Sequence, residues 1–209
     1  RTLLTGASGA VFSRAMRDAG LVARTVPGES ALYELFNRIG ETLPSMALAR
    51  QAATLAKGQK QTDIQRVATI AAKQLFEMVP PYALAVIAQH RAEGRKLVMA
   101  TTTPYDLVKP LADLLKFDDV VATRYGLNAD KTYNGRIDGP FVWNNGKLAA
   151  VRTWSEAHGI ELSDCYAYSD SVFDTPLLAA VGNPVAVNPD PRMILMAAAR
   201  RWPVMHFDV

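Results

Sequence analysis

The 209-residue chain is 49% hydrophobic and 21% charged, with a mean hydropathy of +0.02, the balance of a globular protein with a substantial core. Such a length holds one sizeable domain, or a core with a smaller inserted lid. A net charge of +3 carried on scattered Lys and Arg, with no basic stripe, argues against nucleic-acid binding. No apolar run approaches the roughly 18 residues of a membrane helix, and the single Cys165 excludes an intrachain disulfide and fits a reducing cytoplasm.

In chain order, the stretch from Gly9 to His90 carries a helical period of apolar residues almost throughout: "GAVFSRAMRDAG", "SALYELFNRIG", "SMALARQAATLAKG", "TDIQRVATIAAKQLFEMV" and "PYALAVIAQHRAEG". Gly and Pro punctuate it into helices of ordinary length. From Lys96 the texture changes. "KLVMATTT" predicts a strand and "TPYDLVKPLADLL" a helix. "DVVATRYGL", "YNGRIDG" and "PFVWNN" predict an antiparallel group. Helix "GKLAAVRTWSEAHG", strand "CYAYSD", helix "TPLLAAV", strand "PVAVN" and a helix from Pro191 follow. Strands alternating with helices predict an α/β fold, a parallel sheet covered on both faces. The all-helical stretch ahead of it predicts a cap.

Chemistry in such a fold sits at the carboxyl ends of the strands. "LVMA" ends there on Thr101, Thr102 and Thr103, a helix begins near Lys147, and "YAYS" ends on Asp170, with Asp174 four residues on. A hydroxyl, an ammonium and a carboxylate together suit a phosphate held beside a divalent metal, since Mg2+ takes oxygen ligands and phosphate oxygens take a hydroxyl and a positive charge. Each has a plainer reading: capping or solvated aspartates, a solvated lysine, an ST-turn of threonines. Thr175-Pro176 reads as a helix N-cap and first turn, which puts both aspartates in the connecting loop. His90, His158 and His206 are isolated in sequence and read as structural; Cys165 reads as an inert core thiol.

At these residues the chain resembles the haloacid dehalogenase (HAD) superfamily, specifically its phosphoserine-phosphatase-like subfamily IB, over essentially its whole length. "RTLLTG" is similar to the tail of the first motif, Asp-x-Asp-x-Thr, with Thr2 as the motif threonine. Thr101 matches the second motif, Lys147 the third, and "SDSVFD" the fourth, with Asp170 and Asp174. The resemblance implies a Rossmann-like core over 1–12 and 91–209, with an inserted helical cap over 13–90. The motif's two aspartates, nucleophile and general acid/base, are then expected just ahead of Arg1, on a strand central to the sheet.

The implied activity is Mg2+-dependent hydrolysis of a phosphate monoester through an aspartyl-phosphate intermediate. Thr101 and Lys147 would bind phosphate, Asp170 would hold the metal, and Asp174 would take a metal-bound water or orient Lys147. Phosphoserine phosphatases carry a Glu five residues after the motif threonine. Ala7 stands there and cannot meet an ammonium. With Phe12, Met16, Leu32, Leu35, Phe36, Met46, Phe76 and Met78 in the helical stretch, an apolar or lysophospholipid-like substrate is expected. Fusion to, or association with, an acyltransferase is a further implication of the branch. The competing expectation is a non-catalytic phosphate-ligand or partner-binding module that lacks the first motif.

Overall fold

The computed structural model describes residues 2–22 and 43–206; the helix expected over "SALYELFNRIG", with Leu32, Leu35 and Phe36, lies outside the described residues. Four helices come first: α1 (Ser8–Asp18), α2 (Leu43–Leu55), α3 (Gln61–Glu77) and α4 (Pro81–Ala92). The pattern of α3 explains its place. Ile64, Val67, Ala68, Ala71, Ala72 and Leu75 recur at spacings of three and one, which makes a single stripe, and all six are buried. Met78 caps the end, and the Pro80-Pro81 pair stops the helix while placing Pro81 at the first position of α4.

Alternating strands and helices follow. They are β1 (Val98–Pro104), α5 (Tyr105–Leu114), β2 (Asp119–Leu127), β3 (Tyr133–Asp138), α6 (Asn145–Ala157), β4 (Tyr166–Ser169), α7 (Thr175–Leu178), β5 (Asn183–Val187), α8 (Pro191–Arg200) and β6 (Val204–Met205). Two three-stranded sheets result, ordered β1-β2-β3 and β4-β5-β6. β1 pairs in parallel with β2, from Val98 opposite Asp119 to Thr101 opposite Ala122, and β2 pairs antiparallel with β3. β4, β5 and β6 are all parallel. The fold is therefore the expected α/β architecture, parallel strands clothed by helices, with a helical stretch ahead of them and one antiparallel pair.

Each sheet has its own core. Around the first, Leu75 from α3, Ile87 from α4, Met99 from β1, Leu111 from α5, Val120 from β2 and Phe12 from α1 form one buried cluster. Leu75 has no exposed surface, and burying a leucine fully contributes about 1.5–3 kcal/mol. Around the second, Leu178, Ala186, Met193 and Ala197 pack together, with Trp202 against them. Helix α3 and all but the end of α4 fall inside the 13–90 range expected for a cap, yet Ala71, Ala72 and Leu75 of α3 and Ala83 and Ile87 of α4 belong to the first sheet's core.

Three local expectations differ from the structure. "PFVWNN" is not a strand: Val142 is buried in a loop, its N–H donating to Thr123 Oγ1 at 3.1 Å and its carbonyl accepting from Thr102 Oγ1 at 2.9 Å. Two threonine side chains thus stand in for a neighbouring strand. "TPLLAAV" makes a single turn, Thr175–Leu178, before bending into β5. Finally, the chain after α8 adds β6, a two-residue strand on the outer edge of β5.

Candidate active site

Thr2, Thr101, Lys147, Asp170 and Asp174 all line one cavity of about 1830 Å3. Topology brings them there. Thr101 is the middle residue of β1 and Asp170 follows directly after β4, and both face the same cavity. The cavity runs between the two half-sheets, lined by Met99, Ala100 and Thr101 on one side and by Ala167, Tyr168 and Asp170 on the other.

Thr2 and Asp170 are 168 residues apart and hold each other twice. The threonine hydroxyl donates to Asp170 Oδ1 at 2.5 Å, and the Asp170 backbone N–H donates back to Thr2 Oγ1 at 3.0 Å. Thr101 Oγ1 accepts from the Thr103 backbone N–H at 3.2 Å, which uses a lone pair and leaves its O–H as a donor.

Lys147 and Asp174 form a buried pair, 6% and 7% exposed. The ammonium lies 2.7 Å from Asp174 Oδ1 and donates to Oδ2 at 2.8 Å. Ser169, the last residue of β4, donates to the same Oδ2 at 2.7 Å. Both carboxylate oxygens are thus turned on the lysine, and the arrangement holds that ammonium at the cavity wall.

The loop that delivers Lys147 is sterically specified. Asn144 has a φ of +50°, and a Cβ on Gly146 would meet the Phe141 carbonyl oxygen at 2.2 Å, so only glycine fits immediately before the lysine. "NNGK" carries that signal in the sequence; the roles of Ser169, Thr102 and Thr123 carry none, because serine and threonine at strand ends are ordinary.

The residues read as structural keep such contacts. His158 bonds through Nδ1 to the Trp154 carbonyl at 2.7 Å, and Trp154 Nε1 donates to Asp119 at 2.7 Å. The Cys165 thiol donates to the Glu161 carbonyl at 3.3 Å, and burial, reinforced by Asp164, pushes it above the ordinary thiol range, away from thiolate reactivity. Among the described residues no three His, Cys, Asp or Glu side chains converge as a metal cluster, and no helix is long and apolar enough to cross a membrane.

A carboxylate, a restrained ammonium and a hydroxyl thus line one cavity of an α/β fold. The chain belongs to the haloacid dehalogenase-like hydrolase family, whose model matches residues 1–179, and sits on its phosphoserine-phosphatase-like branch. It is 32% identical to the Inhibition of morphological differentiation protein of Streptomyces azureus, over 99% of this chain and 76% of that protein. It is 35% identical to the phosphoserine phosphatase SerB1 of Mycobacterium tuberculosis, over 57% of this chain and 39% of that protein. Among solved structures, a Bordetella pertussis protein of unknown function superposes with a TM-score of 0.79 at 28% identity, covering 98% of this chain and 93% of that one. The chain thus spans three quarters of the Streptomyces relative and well under half of the mycobacterial one.

Proposed function

We propose that the intact protein is a Mg2+-dependent phosphomonoester hydrolase that works through an aspartyl-phosphate. The observation that carries this reading is the Lys147–Asp174 pair facing the same cavity as Thr101 and the Thr2–Asp170 pair. A lysine held by a buried carboxylate has little purpose in an apolar wall, but it gives a phosphate a fixed positive charge.

In this reading the nucleophile is an aspartate on an extended segment preceding Arg1 and seated between β1 and β4. Those strands each end a sheet, and residues of both line the cavity. The carboxylate attacks phosphorus in line, the leaving oxygen takes a proton from the second aspartate of that segment, and water then cleaves the acyl phosphate. Thr101 donates its hydroxyl, and Lys147 its ammonium, to phosphate oxygens as charge shifts among them.

Mg2+ fits Asp170 in kind, since a carboxylate at a cavity edge is a hard oxygen donor, and it would supply charge neutralisation between nucleophile and phosphate. Thr2 orients that carboxylate. Asp174, with both oxygens on Lys147, serves the lysine in this reading.

The leaving group is apolar or neutral. Among the described residues lining the cavity the carboxylates are Asp170 and Asp174 alone, while Phe12, Met16, Leu48, Ala52 and Leu55 line its helical side, near Ala7. Among the described residues an ammonium entering there meets no carboxylate on the helical side, and losing such a charged contact costs about 2–5 kcal/mol. A lysophospholipid belongs among the test substrates on these grounds; association with an acyltransferase gains no support from the relatives named above.

The test is hydrolysis by the chain extended through its natural upstream codons. Mg2+-dependent release of phosphate from p-nitrophenyl phosphate is expected, with kcat/KM for lysophosphatidate at least tenfold above that for phosphoserine. Absence of an Asp-x-Asp ahead of Arg1, or phosphate binding without turnover, would replace the enzyme by a phosphate-binding module. Phosphoserine as the best substrate would overturn the reading of the leaving-group side.

A further inference from the structure

We propose that Ser169 is a positioning residue for phosphate binding, acting through Asp174 on Lys147; this deepens the phosphatase reading and rests on it. Ser169 is the last residue of β4 and 4% exposed. Its hydroxyl accepts from the Ser171 backbone N–H at 3.1 Å and donates to Asp174 Oδ2 at 2.7 Å. A buried serine has one proton to give, and here it is spent on the carboxylate that holds the lysine.

The consequence is geometric and electrostatic. Asp174 lies at the end of a short 3-10 turn, Val172–Asp174, and its carboxylate could rotate about that turn. Two donors on Oδ2, from β4 and from α6, fix the plane of the carboxylate. Lys147 is then drawn to one place, and the hydroxyl takes up part of the charge that would otherwise bind the ammonium more tightly. A lysine held firmly by a carboxylate that it shares with a serine keeps more of its charge for a phosphate. Ser171 extends the brace, its Oγ accepting from the Phe173 N–H at 3.2 Å and closing the loop that carries Asp170.

The experiment compares Ser169→Ala with Ser169→Thr in the upstream-extended protein, using inorganic phosphate as the probe by calorimetry, alongside kcat and KM for p-nitrophenyl phosphate. The alanine variant is expected to weaken phosphate binding and raise KM about tenfold, with a smaller effect on kcat, and the threonine variant, which keeps a hydroxyl, to recover most of the loss. Alanine binding phosphate within twofold of the parent overturns the proposal, whatever its melting temperature. So does equal impairment of alanine and threonine at equal stability, which would mean that space and not the hydrogen bond matters. Because phosphate binding is read without turnover, a parent that binds phosphate but hydrolyses nothing sinks the enzymatic reading and still decides the role of Ser169.

Discussion

Asp170 and Asp174 stand four residues apart in one loop and do separable work. Asp170 is tied to a threonine hydroxyl and a cavity edge; Asp174 is buried against a lysine. Replacing Asp170 by Asn keeps the shape and most hydrogen bonding, so it is expected to abolish metal-dependent hydrolysis while urea unfolding changes little. Replacing Asp174 by Ala takes the buried carboxylate away from the Lys147 ammonium, in a site 6% exposed, and breaking such a buried pair costs about 3–5 kcal/mol. Paired urea titrations of the two variants check this. Equal stability losses would mean that Asp170 carries structural weight of its own, and an active Asp170→Asn enzyme would remove it from the metal site. The spacing of these two residues was legible in "SDSVFD", but their division of labour was not, because it depends on which way a carboxylate turns at the end of a 3-10 turn.

At the scale of elements, the join between α2 and α3 matters most. Gly58 N–H donates to the Tyr133 carbonyl at 2.8 Å, Tyr133 N–H to the Gln59 carbonyl at 2.9 Å, and Gln61 N–H to the Lys131 carbonyl at 3.0 Å. Asp106 of α5 adds bonds from Gln61, Gln65 and the Tyr133 hydroxyl. The start of α3 is thereby stitched to the β2–β3 hairpin. A lid spanning 13–90 would break all of these on opening except the Tyr133–Asp106 bond; one ending before Gly58 would break none. Hydrogen exchange with vanadate and Mg2+ added is expected to slow in α2 and to leave Gly58, Gln61 and Tyr133 unchanged. Slowing at all three would restore the wider lid. Helical periodicity found these helices correctly, since their stripes are long. It could not separate helices that join the sheet from those that do not, because an apolar stripe reads alike in either place. "PFVWNN" misleads for a related reason: apolar residues packed in a loop resemble a strand until the donors serving Val142 prove to be side chains.

Across the whole molecule, α4 packs with the first half-sheet while its His90 reaches the second. Arg95 donates to His90 Nδ1 at 3.0 Å, so the ring proton is on Nε2 and donates to Tyr168 Oη on β4 at 2.7 Å. Tyr166 lies edge-on at 4.9 Å, and Glu93 pairs with Arg95. Burial first, and then the Arg95 charge, lower the affinity of His90 for a proton, against a smaller opposing pull from Glu93. The unfolded chain therefore binds that proton more readily, and stability is full above the ordinary histidine value of about 6.5 and declines as pH falls from there through the depressed folded value. Denaturation midpoints at pH 7.5 and 5.0 should fall further for the parent than for His90→Gln; identical falls would mean that His90 does not couple to folding. The α/β class was readable because most strands are short, apolar and bounded by turn residues, whereas two sheets sharing one cavity depend on pairings that no local pattern encodes. That division has a kinetic meaning. The β1–β2 and β4–β5 pairings each close short loops, Val98 to Asp119 and Tyr166 to Asn183, whereas the Thr2–Asp170 contact closes one of 168 residues. Loop-closure entropy delays such a distant contact, so on refolding the helical signal should return ahead of phosphate binding, and the cavity edge at Thr2 and Asp170 should be the last part of the molecule to form.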